Sequence, residues 1–363
     1  SFRTDGSSYF GEGNKWGSFP SISGGWVVSQ EKFMKNVDWI SRLKLRASYG
    51  ATGNNRISDF AYLDLLSTGN YPFGGGTGVN TSGQVTSRTN IANPSITWER
   101  TFQSNFGLDV SLLKNKISLA FDIYQSNTER LLLQQSVQAI AGVPQYFNNI
   151  GSLKNNGFEI ELNTTNINKK DFKWTTAFNF SRNTNQIQEL GREAFLLNQG
   201  ERTEVYRARV GDPLVQFFGF KTDGVWLSQA DINAARAGGL TSSLANVFIP
   251  GGLKLVDING DKIIDNNDRT IIGSPYPDFN YGITNTFNYK DFDFSFLIQG
   301  VQGGNVINGD ANYNESRRYI TAYNANRWVS QMFPGDGKTP FSTIGFNWML
   351  TDYEVSDASY MSL

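Results

Sequence analysis

The feature that most constrains this chain is a two-residue alternation of apolar and polar side chains, repeated over stretches of about ten residues. Within 101–112, apolar side chains stand at even positions, such as Phe106 and Leu108. Polar side chains stand between them, such as Asn105 and Asp109. A period of two places alternate side chains on opposite faces of a β-strand. Repeated strands of this kind are typical of a transmembrane β-barrel, with lipid outside and water inside.

The connections between these stretches fall into two classes, which predict how the strands are arranged. About nine spanning strands are predicted, beginning near residues 21, 40, 97, 116, 158, 172, 279, 292 and 357. The short connections lie at about 30–39, 113–116, 165–171 and 290–291, and the long ones at about 51–96, 131–151, 185–277 and 302–350. If successive strands are antiparallel, the short connections resemble periplasmic turns and the long ones extracellular loops. The predicted fold is therefore all-β, an antiparallel transmembrane barrel wall with long extracellular loops.

The whole chain, 1–363, is expected to belong to one barrel domain. Within it, we interpret 185–277 as a long extracellular segment, because strand direction stays consistent only if this segment holds an even number of spanning strands. For the same reason, 215–226 is interpreted as an extracellular excursion. An open set of about nine strands would leave unpaired edges in lipid. Because the chain also opens without a signal peptide and stops where a strand begins, we expect it to be part of a longer mature protein.

The composition argues against several classes of function. The 363 residues contain no cysteine and no histidine, so neither thiolate nor imidazole is available for metal binding or acid–base catalysis. The formal net charge of −1 gives no broad electrostatic attraction to nucleic acid. We therefore expect no enzymatic activity and no nucleic-acid partner.

Charged side chains at alternate positions of two predicted strands are candidates to face the lumen. Three cations alternate with apolar residues in 40–50, and two glutamates do the same in 158–163. Charges in a row on one face are costly against lipid but are accepted in a wet interior. The two glutamates are interpreted as wall residues rather than as a catalytic carboxylate pair. The lumen-facing candidates are Arg42, Lys44, Arg46, Glu159 and Glu161.

One segment of the longest loop, 257–268, has the ligand spacing of an EF-hand calcium loop. Oxygen-bearing side chains occupy most of the ligand positions, and one further position offers a backbone carbonyl. Lys262 stands where glycine is usual, and Asp268 replaces a longer glutamate. The alternative is a turn that binds nothing, since Asn and Asp are common in tight turns. The predicted ligands of a structural Ca²⁺ are Asp257, Asn259, Asp261, Ile263, Asp265 and Asp268.

Around this loop the chain resembles the C-terminal barrel region of the SusC/RagA family, the TonB-dependent outer-membrane transporters of the Bacteroidetes. The resemblance is carried by GGLKLVDINGD at 251–261 and DRTIIGSPYPDF at 268–279. It extends along nearly the whole chain through FRTDGSS at 2–8, LRASYG at 45–50, NNGFE at 155–159 and GDPL at 211–214. Membership of this family is therefore expected.

The resemblance implies a barrel of about 22 strands whose lumen is closed by an N-terminal plug. It also implies multi-pass insertion in outer-membrane lipid, import energised through TonB, and a SusD-like surface lipoprotein that acts as a lid. The expected substrate is an oligosaccharide or a peptide. The plug and the TonB-coupling segment are expected outside these residues. Two alternatives stay open: a passive porin or surface adhesin on a barrel, and a secreted calcium-dependent carbohydrate-binding β protein.

Overall fold

The computed structural model describes residues 1–72, 82–137, 142–143, 145–191, 195–199, 202–308, 325–340 and 349–363. Parts of all four predicted long connections lie outside these ranges. The described elements are almost all β-strands, as the alternation predicts. In the described part of the chain, no helix is long and apolar enough to cross a membrane.

The described residues form 24 strands and one α-helix. The strands of the first half are β1 (Phe2–Gly6), β2 (Trp16–Val27), β3 (Ile40–Asn54), β4 (Leu65–Pro72), β5 (Ser82–Asn90), β6 (Glu99–Leu112), β7 (Ile117–Glu129), β8 (Leu132–Ser136), β9 (Gln145–Asn149), β10 (Ser152–Lys169) and β11 (Phe172–Glu189). Those of the second half are β12 (Phe195–Gln199), β13 (Arg202–Ala208), β14 (Gln216–Gly219), β15 (Thr222–Val225), β16 (Thr241–Ser242), β17 (Leu253–Leu255), β18 (Ile263–Ile264), β19 (Thr270–Gly273), β20 (Phe279–Tyr289), β21 (Phe292–Gln302), β22 (Asn305–Ile307), β23 (Val355–Asp357) and β24 (Tyr360–Ser362). The helix α1 covers Gln229–Ala237, and short 3₁₀ turns cover Val28–Gln30, Lys32–Met34, Asn266–Asp268 and Asp352–Glu354.

Ten of these strands form the main sheet, in the order β1, β2, β3, β6, β7, β10, β11, β20, β21 and β24. Neighbours in the sheet are neighbours along the chain once the strands inside the long connections are left out. The registers are antiparallel and long: β3 pairs with β6 from Asn54↔Glu99 to Ile40↔Leu112. This arrangement confirms the predicted alternation of short and long connections.

Two of the short connections are tight because some of their residues adopt the left-handed backbone conformation. Leu113, Lys114 and Asn115, between β6 and β7, have φ angles of 52°, 57° and 63°. Lys290, between β20 and β21, has a φ of 52°. Consecutive positive φ angles give a turn whose twist matches that of the strands it joins. All four short connections predicted from the sequence are present.

The structure adds one strand to the main sheet that the sequence did not predict. This strand, β1, pairs with β2 from Phe2↔Pro20 to Gly6↔Trp16. Two predicted strands are also longer than expected, because β10 and β11 each have 18 residues. The alternation weakens toward the outer ends of these strands, where both faces become polar.

Two of the long connections fold back as hairpins. Strand β4 pairs with β5, and β8 pairs with β9. Within 215–226, the strands β14 and β15 have four residues each, whereas a spanning strand needs about nine. These short strands belong to two different small sheets. Neither strand is therefore long enough to span the membrane, and the extracellular position of 215–226 stays a prediction.

The chain divides into two compact units, Ser1–Glu193 with Gly282–Leu297, and Ala194–Tyr281 with Ile298–Leu363. The first contains most of the main sheet. The second contains a four-stranded sheet of β12, β13, β14 and β19. It also holds the helix α1, whose N-terminus is capped because Ser228 Oγ accepts the Asp231 N–H. The described part of the segment 185–277 is thus folded rather than structureless.

Each unit has its own apolar core. In the first unit, Phe10, Phe19, Ile96 and Trp98 pack together beyond the ends of β3 and β6 that are opposite the short turns. Trp98 is therefore a core residue, and its Nε1 donates to Lys15 O at 3.1 Å. The core of the second unit consists of Phe220, Val247, Leu255 and Ile264.

Candidate functional site

Strand register places all five charged wall candidates on one face of the main sheet. One row across four strands consists of Arg46, Gly107, Asp122 and Glu159. The adjacent row consists of Lys44, Asp109, Ala120 and Glu161. Arg42 lies on the same face, two residues before Lys44 on β3. These strands therefore carry a polar face, on which cations of β3 are followed by carboxylates of β6, β7 and β10.

The opposite face of the same strands is apolar. Its rows are Leu45, Leu108, Phe121 and Ile160, and Ala47, Phe106, Ile123 and Phe158. Several of these side chains are exposed, including Phe106 at 63% and Ile123 at 50%. A sheet with one charged face and one exposed apolar face is expected when lipid covers the second. That the charged face borders the lumen stays a prediction.

A cysteine placed on each face would test this prediction. The 363 residues contain no cysteine, so none of them contributes background labelling. In cells, Glu161→Cys is expected to react with a membrane-impermeant maleimide at least tenfold faster than Leu162→Cys, its neighbour on the apolar face. The reason is that a thiol facing lipid is neither hydrated nor ionised. Equal labelling of the two positions would contradict the assignment of the faces.

Arg46 joins two carboxylates of neighbouring strands. Its Nε lies 3.0 Å from Asp109 Oδ1, and its Nη1 and Nη2 donate to the two oxygens of Asp122 at 3.0 and 2.8 Å. The guanidinium lies flat against Gly107, where a Cβ would be only 2.5 Å from Arg46 Cζ. The planar group with five donors suits this double contact, which a lysine could not reproduce. The cluster links β3, β6 and β7 through their side chains.

Sequence reasoning identified Arg46 but missed Asp122 and Gly107. A signal was available, because the turn at 113–116 fixes which residues of β6 and β7 face each other. That register pairs Gly107 with Asp122 and Asp109 with Ala120. Asp109 and Asp122 then lie on the polar face, in adjacent rows of neighbouring strands.

The other four wall candidates are not part of this cluster. Within the described residues, Arg42, Lys44, Glu159 and Glu161 form no ion pair. Glu161 accepts a hydrogen bond from Asn163 Nδ2 at 2.9 Å. The two glutamates and Arg42 are solvent-exposed, so their charges remain available to a solute or another part of the protein.

The predicted calcium ligands lie together in one loop, but its carboxylates bind the backbone of the loop itself. Asp257 accepts the N–H groups of Gly260 at 2.7 Å and Lys262 at 2.8 Å. The fully buried Asp268 accepts those of Ile258 and Asp265, each at 2.9 Å. Asp261, Asn259 and Asp265 cap neighbouring N–H groups in the same way. Each of these side chains therefore stabilises the loop through hydrogen bonds.

Lys262 adopts the backbone conformation for which calcium loops use glycine. Its φ angle is 66°, and its Nζ donates to Gly238 O at 3.0 Å. Within the described residues, no group of three or more His, Cys, Asp or Glu side chains is placed to hold a metal ion. In this arrangement the residues do not form a cation cage. Calcium binding stays a prediction that rests on ligand type and spacing.

A third polar feature lies in the small sheet of the second unit. Arg207 and Gln216 face each other across β13 and β14. Arg207 Nε and Gln216 Oε1 are buried, yet neither has a hydrogen-bond partner among the described residues. The guanidinium packs 4.7 Å from the centre of the Phe218 ring. Burial lowers the pKa of Arg207, as does nearby Arg209, whereas Asp212 opposes the change. Sequence reasoning did not identify this pair, because it lies outside any motif.

Comparison with known families decides what this wall belongs to. Residues 1–200, more than half of the chain, match the family described as TonB dependent receptor-like, beta-barrel. The chain belongs to the TonB-dependent receptor family. The sheet is therefore a barrel wall, and the protein is assigned to the outer membrane, as predicted. The family consists of receptors and transporters rather than enzymes, which agrees with the prediction made from composition.

Curated relatives support this assignment across most of the chain. A TonB-dependent receptor of Formosa agariphila is 37% identical over 313 residues, which cover 84% of this chain and 30% of the relative. The TonB-dependent receptor SusC of Bacteroides thetaiotaomicron is 35% identical over 314 residues, covering 82% and 28%. The chain thus spans about a third of the length of these TonB-dependent receptors. The predicted resemblance to SusC is confirmed.

Solved structures show the same fold. The structure of the RagAB peptide transporter superimposes with a TM-score of 0.77 at 23% sequence identity, covering 99% of this chain and 38% of that one. The 'closed-closed' state of the RagAB peptide importer superimposes with a TM-score of 0.74. Over nearly the full length of the chain described here, the TonB-dependent receptor therefore has the same fold as the part of RagAB that it matches.

Proposed function

We propose that this protein contributes part of the barrel of a TonB-dependent importer that takes up an oligosaccharide or a peptide. The observation that carries the proposal is the charged face of the wall, read together with the family. A lumen lined by Arg42, Lys44, Glu159 and Glu161 offers a hydrated path to a polar solute. Transport along it is non-covalent, so the wall needs no nucleophile or general base.

The partners of this importer are part of the proposal. A plug would close the lumen, TonB would energise its rearrangement, and a SusD-like lipoprotein would close over the extracellular loops. The resemblance to SusC supports the lipoprotein. The RagAB structures similar to this chain are those of a peptide transporter, which supports peptide beside oligosaccharide as a substrate class.

Uptake by intact cells tests this function. Cells that express the full-length protein are supplied with radiolabelled oligosaccharide pools or peptide pools, with and without dissipation of the proton gradient. We expect uptake of one pool to fall at least tenfold when the protein is deleted, when TonB is absent, or when the gradient collapses. Pull-down of the native protein is expected to recover a surface lipoprotein. Uptake of both pools that needs neither TonB nor a gradient would contradict the proposal.

The passive porin is the remaining rival. It predicts steady ionic conductance when the purified full-length protein is placed in a planar bilayer. A plugged importer is expected to give no steady conductance under the same conditions. The secreted calcium-dependent binding protein is not proposed further, because the chain belongs to an outer-membrane family.

We also propose that 257–268 binds a structural calcium ion, and this proposal needs its own test. If the affinity is in the 0.1–1 mM range of extracellular calcium modules, 1 mM Ca²⁺ should stabilise the fold by about 0.4–1.4 kcal/mol. The measurement is thermal unfolding in Ca²⁺ and in chelator. Asp261→Asn, at an exposed ligand position, is expected to abolish the difference. No difference in the native protein would mean that the loop is held by hydrogen bonds alone.

A further inference from the structure

One cation lies on the apolar face of strand β11. On β11 this face carries Trp174, Phe178 and Phe180, and the next residue on it is Arg182. Register confirms the placement, because Arg182 pairs with Phe158. The Arg182 side chain is exposed, and no described residue forms an ion pair with it. A charge on a lipid-facing surface is destabilising unless it lies near the membrane boundary or has a partner.

The height of Arg182 above the short turns places it at the outer boundary of the membrane. Strand β11 begins at Phe172, directly after the turn at 170–171. Ten residues separate Phe172 from Arg182, a distance of about 34 Å along the strand. With a strand tilt of about 40°, this corresponds to about 26 Å of height, against an apolar band of about 25 Å. Arg182 therefore lies where the phosphates of the outer leaflet are expected.

The side chains beyond Arg182 confirm that the apolar band ends there. On β6, β7, β10 and β11 the next row of the same face carries only the polar side chains Ser104, Gln125, Asn156 and Thr184, whereas on β3 it continues to Tyr49. Phe106, Ile123 and Phe158 lie in the same row as Arg182, next to this polar row. On β7, β10 and β11 the change from apolar to polar thus takes place over a single row, whereas β6 carries Phe102 one row further.

A groove of about 570 Å³ lies at this boundary. Its floor includes Phe106, Ile123 and Phe158, and its polar residues include Arg182. The volume lies within the range of small-molecule sites, about 300–1,000 Å³. The groove therefore joins an apolar surface, suited to an acyl chain, to a single guanidinium, suited to a phosphate.

We propose that this groove binds a phosphate-bearing lipid of the outer leaflet, with an acyl chain on Phe106, Ile123 and Phe158 and the phosphate on Arg182. The proposal goes beyond import, since it concerns the outside of the wall. It depends on the apolar face being the lipid face. Charge complementarity and height select this occupant, because the guanidinium of Arg182 suits a phosphate and lies at the height where the phosphates of the outer leaflet are expected.

Lipid binding to the full-length protein in detergent tests the proposal by native mass spectrometry. The probes are dioleoyl phosphatidic acid and dioleoylglycerol, which differ only in the phosphate. We expect phosphatidic acid to bind at least tenfold more tightly, and Arg182→Gln to remove that preference. Lys173→Gln, at the other end of the same strand and on the polar face, is the matched control and should keep it. Equal binding of the two lipids, or an unchanged preference in Arg182→Gln, would overturn the proposal.

A second pair of variants tests the apolar floor without removing a charge. Ser104→Phe adds bulk within the groove and is expected to weaken phosphatidic acid binding at least fivefold. Gln103→Phe adds a comparable volume on the polar face of the same strand and should bind normally. Excess inorganic phosphate is expected not to displace the lipid. Displacement by phosphate, or normal binding in Ser104→Phe, would show that the groove does not hold the lipid.

Discussion

Asp268→Ala is expected to lower the stability of the second unit by about 3 kcal/mol, because it removes a fully buried carboxylate and leaves two part-buried backbone N–H groups without their acceptor. The carboxylate is fully buried and accepts the N–H groups of Ile258 and Asp265, each at 2.9 Å. It thereby joins the two ends of the loop 257–268. Hydrogen exchange of the loop amides and thermal unfolding of the full-length protein measure the loss.

The matched control is Asp261→Ala, which removes the same charge from the same loop. Asp261 is exposed, and its oxygens accept from Ile263 N and Asn259 Nδ2 at the surface. Water can replace it there, so the expected loss is below about 1 kcal/mol. Equal losses for the two variants, measured in chelator, would show that the buried hydrogen bonds of Asp268 are not what holds the loop.

Arg46→Ala is expected to destabilise the barrel wall by about 2–3 kcal/mol. The substitution removes several charge-assisted hydrogen bonds and leaves Asp109 and Asp122 close together without their cation. The side chains are about one-fifth to one-third exposed, so solvent moderates the loss. Thermal unfolding of the full-length protein in detergent gives the measurement. Arg42→Ala, on the same strand and face, is the control and should cost less than about 0.5 kcal/mol.

Gly107→Ala is a second test of the cluster around Arg46. Its Cβ would lie 2.5 Å from Arg46 Cζ, so the guanidinium must move and its hydrogen bonds must lengthen. We expect a loss of about 1–2 kcal/mol in the native background and little loss when Arg46 is already alanine. Such non-additivity is diagnostic of a direct contact. Additive losses would mean that the close approach of Arg46 to Gly107 is not what makes the glycine necessary.

Period-two alternation predicted the strands of the wall because each of them separates an apolar face from a polar one. It failed for β1, whose sequence FRTDG contains a single apolar residue. It also failed for β4 and β5, which are rich in Ser, Thr and Gly and have no apolar face to reveal them. The strands of the second unit have two to seven residues, too few for a period to be recognised. These elements thus lack the alternation of apolar and polar side chains that made the longer strands of the wall predictable.

The candidate site was predictable in its faces but not in its contacts. Two-residue spacing is enough to place Arg42, Lys44 and Arg46 on one side of β3. The bond from Arg46 to Asp122 depends on the register of three strands, which no single strand specifies. The loop 257–268 shows a different limit, because carboxylate oxygens that suit calcium also suit backbone N–H groups. Spacing along the chain does not distinguish these two uses of the same atoms.

The hairpins β4–β5 and β8–β9 pair with themselves rather than extending the main sheet. Insertions, deletions or recombination within them therefore leave the hydrogen-bond ladder of the wall unchanged. Natural variation can therefore change the sequence and length of these hairpins in such a receptor, while the strands of the main sheet keep their pairing. Related receptors can then differ in these hairpins and still fold the same wall.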